Sequence, residues 1–371
     1  MSKWTHREEG KRISQSVLQG KSTEELTNAR KFLHSLLELR KSQKLERTYI
    51  AGTKKAIAYN GLPKIYVDYR FDGTATGRLS CAAYTAAKPM GVSFHTLPRD
   101  KETNVRSFFV SPDKHYFITI DYAAMELRVL AHVAKDGNMQ KAFNEGQDLH
   151  TYTAKMLFNK DKITKSERQI AKAVSFLIVY GGGAFNLAET TGISIHQAKR
   201  IIKSYQDVYP AVFKYMDFIQ NFIKKNQYAY TIFGRRRNLP DITSKDFSIQ
   251  SRAFRQGLNF TIQSTASDIL LGSLLGLDRR LREQEVDAYP IATVHDSVEV
   301  ICHKDDLIKC LEIIYDEMVN YPFIKETFNI HFDVPLKIDV EVGHSFGDGV
   351  EIDFTGDWRR KCERLSSQTY I

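Results

Sequence analysis

Apolar and polar positions divide this chain into segments of different period. Two stretches read as strands. His115-Tyr-Phe-Ile-Thr-Ile runs up to Asp121, and Ala292-Thr-Val-His-Asp-Ser-Val-Glu-Val-Ile301 forms two β-prone arms around His295-Asp296-Ser297. Further short strands are expected near Ile65–Tyr69 and Leu336–Val342. Helical patterning fills much of the rest: a basic stretch at about 22–47, a helix-rich region from about 139 to 235, and one long helix over Leu258–Leu281. Within the helix-rich region Thr164-x-x-Glu167 reads as a capping box, and the helix it opens runs to a Gly181-Gly-Gly183 stop. Short strands and helical blocks are therefore mixed along the chain.

Two aspartates stand beside the strand-like runs. Asp121 closes the first and Asp296 lies in the turn of the second. Either alone reads equally well as a helix cap or a turn residue. Together they have the make-up of a phosphoryl-transfer site, in which two carboxylates share two divalent ions about 3.5–4 Å apart. Mg²⁺ suits carboxylates completed by phosphate oxygens and water. Between them, Arg168, Lys172, Phe176 and Tyr180 recur every fourth residue and fall in one stripe of the capped helix. Two cations followed by two aromatics suit a nucleoside triphosphate lying along that stripe. The same spacing also describes an amphipathic core helix with snorkelling cations.

Composition narrows the classes. The 371 residues are 42% hydrophobic, enough for one multi-lobed catalytic unit. No apolar run approaches the ~20 residues of a membrane span, and Met-Ser-Lys-Trp-Thr-His-Arg is not a signal peptide, so a soluble, cytoplasmic protein without a membrane partner is expected. Cys81, Cys302, Cys310 and Cys362 show no C-x-x-C spacing, which argues against structural zinc and a disulfide framework. The net charge is +9, and residues 1–55 carry 13 Lys/Arg against 6 Asp/Glu. That surplus of 13 − 6 = +7 predicts a phosphate-backbone contact with strong salt dependence.

The motifs together resemble family A DNA polymerases, the bacterial DNA polymerase I and phage polymerase type. The first motif is Asp121-Tyr122 with Glu126-Leu127-Arg128, the second Arg168-x₃-Lys172-x₃-Phe176-x₃-Tyr180-Gly181, and the third Val294-His295-Asp296. Thr76-Gly-Arg-Leu-Ser80, Asp148-Leu-His150, Gly234-Arg-Arg-Arg-Asn-Leu-Pro-Asp241 and Asn259-x₃-Gln263-Ser-Thr-Ala-Ser-Asp268 stand in the family's order. The match covers roughly residues 28–347.

The resemblance implies an α+β class, a right-hand polymerase fold with an antiparallel-sheet palm, helical fingers and a shortened helical thumb. Its expected parts are a basic partial thumb at 1–60, palm at 61–138, fingers at 139–235, the second palm segment at 236–354 and a tail at 355–371. It implies that Asp121 and Asp296, with the backbone carbonyl of Tyr122, hold two Mg²⁺ ions, for which Mn²⁺ substitutes. Arg168, Lys172 and His150 are expected to grip the triphosphate of a dNTP, with Lys172 able to donate a proton to the departing pyrophosphate. Phe176 faces the sugar, Tyr180 guards the space beside the templating base, and Glu126 walls off the 2′ position. Arg78, Asn259 and Gln263 are expected to test primer-template DNA through the minor groove, whose acceptors occur at every base pair. Arg255 is expected at the template backbone and His295 at the primer terminus.

Three departures from the family pattern matter. Ser297 stands where a glutamate usually follows the third-motif aspartate, Ala123 and Ala124 replace the usual Ser-Gln, and the segment from Cys81 to Thr96 is longer than expected. A single-subunit RNA polymerase of phage type can also carry His-Asp-Ser, but Glu126 and Phe176 oppose that reading. A catalytically silent DNA-binding protein would have no need of the two aspartates, Arg168 and Lys172. Only 75 residues precede Thr76, so the expectation is a chain without its own 3′–5′ exonuclease, served by a separate exonuclease- or thumb-bearing subunit or a processivity factor. The compact length suggests a phage or phage-like origin.

Overall fold

The structure is a computed structural model that describes residues 23–82, 88–99 and 103–367. The start of the basic stretch, residues 83–87 of the long Cys81–Thr96 segment and the last four residues of the tail lie outside them. Two compact units are present, one within residues 1–68 and 82–93 and the other within 69–81 and 94–371.

The first unit is helical. Helix Thr23–Lys44 continues through a π-helical turn, Leu45–Ile50, into helix Ala51–Asn60. Gly61 ends it at φ 66°, its amide bonded to the Ile57 carbonyl, a left-handed cap that glycine adopts without strain. The side chain of Asn60 then donates to the carbonyls of Lys64 (2.8 Å) and Met90 (3.0 Å) and closes the loop below the helix.

Among the described residues nine strands form three sheets: β1 (Asp68–Arg70) pairs with β2 (Ser80–Ala82), β4 (Tyr228–Tyr230) pairs with β5 (Arg236–Asn238), and the other five form one sheet. These are β3 (His115–Tyr122), β6 (Ala288–Val294), β7 (Ser297–His303), β8 (Ile338–Gly343) and β9 (Val350–Ile352), in the order β6-β7-β3-β8-β9. Every pairing within it is antiparallel. Alternation sorts the side chains. Ile118, Ile120, Val298, Val300, Val340 and Val342 are fully buried and share one core with Ile269, Leu270 and Leu277 of helix Thr265–Glu283. The opposite face carries Thr119, Asp121, Ser297, Glu299, Asp339 and Glu341, because Asp121 pairs with Ser297 and Asp339, and Thr119 pairs with Glu299 and Glu341. The α+β class with an antiparallel sheet is thus as expected.

Local signals set the helix ends. Thr164 accepts the Glu167 amide (3.2 Å) while the Glu167 carboxylate accepts the Thr164 amide (2.9 Å), and the helix spans Lys165–Val179. Gly181, at φ 64°, and Gly182 then bond back to the carbonyls of Ile178 and Leu177.

The elements differ from the sequence reading in four places. The strand expected at 65–69 forms at Asp68–Arg70, where β2 supplies its partner. The helix-rich region contains β4, whose pairing with β5 needs residues beyond it. The long helix of Leu258–Leu281 is two helices, Phe247–Asn259 and Thr265–Glu283, joined by a π-helical turn at Phe260–Ser264. There the hydroxyls of Thr261 and Thr265 donate to the carbonyls of Leu258 (2.8 Å) and Thr261 (2.6 Å), so side chains take up acceptors that the widened ladder serves poorly. Beyond β8 the chain adds β9 and helix Trp358–Ser367, neither of which periodicity announced.

Candidate active site

Register brings the two aspartates together. Asp121 lies opposite Ser297, and the amide of Tyr122 donates to the carbonyl of Asp296 at 3.3 Å. Val294 pairs with Ser297, so His295 and Asp296 form a two-residue hairpin turn, with His295 at φ 62° as primed turns require. The Tyr122 side chain points into the core, where its hydroxyl meets Ser273 (2.8 Å) and the Met318 carbonyl (3.0 Å). Only its backbone is left at the site. Two residues that the sequence reading missed hold the turn. The Tyr69 hydroxyl donates to the Thr293 carbonyl (2.6 Å) and accepts from its amide (2.8 Å), and His95 Nε2 lies 3.0 Å from the same carbonyl.

Three sequence motifs converge on Arg78. Arg235 donates to the Gly77 carbonyl (3.0 Å) and the Ser264 carbonyl (3.0 Å) and pairs with Asp268 at 2.8 Å. Gly77 sits at φ 69°, a left-handed conformation that glycine adopts without strain, and a Cβ there would come within 1.7 Å of the Arg235 guanidinium and displace it. Thus positioned, Arg78 Nη2 donates to both oxygens of Asp296 (2.7 and 3.0 Å) and to Glu126 Oε1 (2.9 Å). Glu126 is buried and also accepts from Gln263 Nε2 (3.1 Å) and the Tyr180 hydroxyl (3.2 Å). Burial and the nearby Glu126 carboxylate push the Tyr180 phenol up to about 12.

The stripe on the Lys165–Val179 helix and its cap forms with unequal exposure. Lys172 and Tyr180 are exposed, and Phe176 is half-buried with its ring 5.8 Å from that of His150. Arg168 donates to both oxygens of Asp148 (2.9 and 3.0 Å). Asp148 caps the following helix through the Thr151 amide (3.0 Å). Although partial burial opposes it, the bonds from Arg168 and Thr151 hold the Asp148 carboxyl down to about 2. Burial, reinforced by Arg168 and Lys172, lowers His150 to about 4 against the pull of Asp148. His150 is therefore neutral at pH 7, and its buried Nδ1 has no partner among the described residues.

The acidic sheet face borders a cavity of about 390 Å³ lined in part by Thr119, Asp121, Ser297, Asp339, Arg99 and Arg106. Burial raises the Asp121 carboxyl, Arg99 opposes this, and Asp296 and Asp339 add to it. Glu299 lies under the cavity floor with no exposed surface. Among the described residues its only hydrogen bonds come from the Thr119 hydroxyl (2.6 Å) and the Ser297 hydroxyl (2.8 Å), and burial raises its carboxyl to about 7. The sequence reading named none of Glu299, Asp339, Arg99 or Arg106. For Glu299 and Asp339 the signal was the polar half of the strand alternation, legible only once the core face is known, whereas Arg99 and Arg106 lie outside the strands and had no such signal.

The remaining candidates stand apart from this network. Asn259 is buried, with its Nδ2 donor unpartnered among the described residues, while Arg255 is exposed, bonds Ser251 (2.8 Å) and lays its stem against Gly181. His295 is exposed, its ring 5.0 Å from that of His95.

A carboxylate-bearing antiparallel sheet, tied to a capped helix that presents cations and then aromatics, is an arrangement suited to a phosphate-bearing nucleotide. Comparison makes the class specific: a model of DNA polymerase family A matches residues 2–348, and the chain belongs to that family. It is 33% identical over 318 residues to DNA polymerase I of Bacillus caldotenax, covering 84% of this chain and 34% of the relative. DNA polymerase I of Streptococcus pneumoniae R6 is 34% identical over 314 residues, 83% of this chain and 34% of the relative. The chain thus spans about a third of the length of these curated relatives. Among solved structures, the polymerase domain of Pol1 from M. smegmatis, in complex with DNA primer-template and dNTP, superposes with a TM-score of 0.76 at 28% identity, covering 86% of this chain and 54% of that one.

Proposed function

We propose that this chain is a DNA-templated DNA polymerase that extends a primer 3′-OH with dNTPs. The observation that carries the reading is the bridge from Tyr180 through Glu126 and Arg78 to Asp296, which ties the end of the cationic helix to the carboxylate turn. In the reaction the primer oxygen bonds to the α-phosphorus, the bond from that phosphorus to the bridging oxygen breaks, and pyrophosphate leaves.

Asp121, Asp296 and the Tyr122 carbonyl would hold two Mg²⁺ ions, with Mn²⁺ as a substitute. The donor set fits. The Arg78 guanidinium already seats positive charge on both Asp296 oxygens. Among the described residues no three His, Cys, Asp or Glu side chains converge to hold an ion alone. Phosphate oxygens and water would complete the coordination, as Mg²⁺ prefers. When bound, such ions neutralise charge on the attacking and leaving oxygens.

The chain's own groups do the rest. Arg168 and Lys172 bind phosphate, neutral His150 offers a ring nitrogen, and Lys172 holds a proton at Nζ for the leaving group. Glu126, fixed by three donors, cannot swing away from a ribose 2′-oxygen. That selects deoxyribose by collision. Phe176 and Tyr180 bound the sugar and the templating space, Arg78, Asn259 and Gln263 face the minor groove, Arg255 the template and His295 the primer end. In this reading residues 139–235 act as fingers and 61–138 with 236–354 as palm. The charge surplus of residues 1–55 supports contact with duplex phosphates or docking of a separate subunit.

The test is extension of a labelled primer with dNTPs or with NTPs. Selective extension with dNTPs supports the reading; equal use of NTPs, or no extension with either, refutes it.

A further inference from the structure

We propose that Glu299 is a positioning residue for the cation site at Asp121, acting through the hydroxyl of Ser297. The proposal rests on the polymerase reading and concerns a group that reading leaves unused.

The argument starts from register. Ser297 lies opposite Asp121, and Glu299, two residues along β7, lies opposite Thr119. All four side chains therefore share the site face of the sheet. Ser297 is too short and uncharged to contribute what an acid at that position would. Glu299 puts the charge one step further down the same face, beneath the floor of the cavity that Thr119, Asp121 and Ser297 line.

The hydrogen bonding gives that charge a route to the cavity. Ser297 Oγ lies 2.8 Å from Glu299 Oε1 and 3.1 Å from the Val294 carbonyl, and it has one proton to donate. A carboxylate at the shorter distance takes that proton. The serine oxygen is then left to accept from a donor in the cavity beside Asp121, such as water held by a cation. Thr119 is oriented in the same way by Glu299 Oε2 at 2.6 Å. A buried carboxylate serving structure alone is ordinarily paired with a cation, or an apolar side chain of similar volume serves better. Among the described residues Glu299 is bonded to two hydroxyls and to no cation, and Arg106, which lines the same cavity, attracts it without a direct contact. Its attraction is directed to the cavity those hydroxyls border.

The test uses the full chain bound to primer-template with a dideoxy terminus and the matching dNTP. Mn²⁺ affinity is read by electron paramagnetic resonance of the free ion, and the Mg²⁺ dependence of single insertions is measured separately. Glu299→Gln keeps size and neutralises the group, Ser297→Ala cuts the relay, and the double variant S297E/E299V returns a carboxylate to position 297. Groups one layer beyond a metal's ligands typically alter its affinity about 10–100-fold, and the lower end is expected for Glu299→Gln and Ser297→Ala. The double variant should recover most of the loss. Wild-type Mn²⁺ affinity in Glu299→Gln, or a double variant no tighter than Glu299→Gln, overturns the proposal. Failure of the polymerase reading is distinguishable, because it appears as absent extension by the wild type, whereas the Mn²⁺ titrations decide the role of Glu299 without turnover.

Discussion

Replacing Glu299 by glutamine removes an ionisable group from a position with no exposed surface while leaving its shape and its hydroxyl partners in place. In the folded chain this carboxyl titrates at about 7, against an ordinary value of 4.5. Between those values the unfolded chain has released the proton and the folded chain still holds it. Folding then takes up a proton, so wild-type stability falls as pH rises from about 4.5 to about 7 and is level above that, where the charge is buried in full. A gap of about 2.5 in pKa corresponds to about 3 kcal/mol, a ceiling that local relaxation reduces. Glutamine resembles the protonated acid and has no such dependence. Glu299→Gln should therefore match the wild type near pH 4.5 and be more stable at pH 8, by more than about 1 kcal/mol and at most about 3. Guanidinium unfolding of both proteins at pH 5, 6, 7 and 8 measures the difference, in which the other titrating groups cancel. A difference that does not vary with pH, or a variant less stable than wild type at pH 8, refutes the reasoning.

Other expectations concern chemistry. Asp121→Asn and Asp296→Asn should each abolish nearly all primer extension while retaining duplex binding, since groups acting as one assembly are not additive; near-normal extension by either sinks the assignment. Glu126→Ala should raise ribonucleotide relative to deoxyribonucleotide incorporation, measured by competitive insertion, and Phe176→Tyr should raise acceptance of dideoxynucleotides by supplying a hydroxyl. If neither ratio moves, the helix stripe is not the nucleotide site. Asp148→Asn loosens the anchor of Arg168 and should raise KM for dNTP more than it lowers kcat, and an effect on kcat alone counts against that role. His150, held down to about 4 while the triphosphate is absent, should produce no ionisation of the free enzyme between pH 6 and 8 in kcat/KM, and a step there that His150→Gln removes would contradict its neutral state.

Sequence alone was enough wherever the deciding contacts are a few residues apart. The Thr164–Glu167 box, the stop at Gly181-Gly-Gly183 and the hairpin around His295-Asp296 depend on short-range hydrogen bonds and on backbone freedom, and each formed where its residues indicated. The stripe from Arg168 to Tyr180 follows from helical period, and the motif order identified the family. What local period could not supply was pairing between segments. That Glu126 is held by Arg78, Gln263 and Tyr180, up to 137 residues away, or that Arg78 closes on Asp296 across 218 residues, depends on how the elements pack. The acidic face needed the register of β3 with β7 and β8. A one-residue slip would have turned Glu299 and Asp339 into the core and the valines toward the site. Thus the identity of the chemistry resided in residue type and order. Its geometry, and the buried acid under its floor, were decided by strand register, which is set by burying one apolar face and so belongs to the folded molecule as a whole.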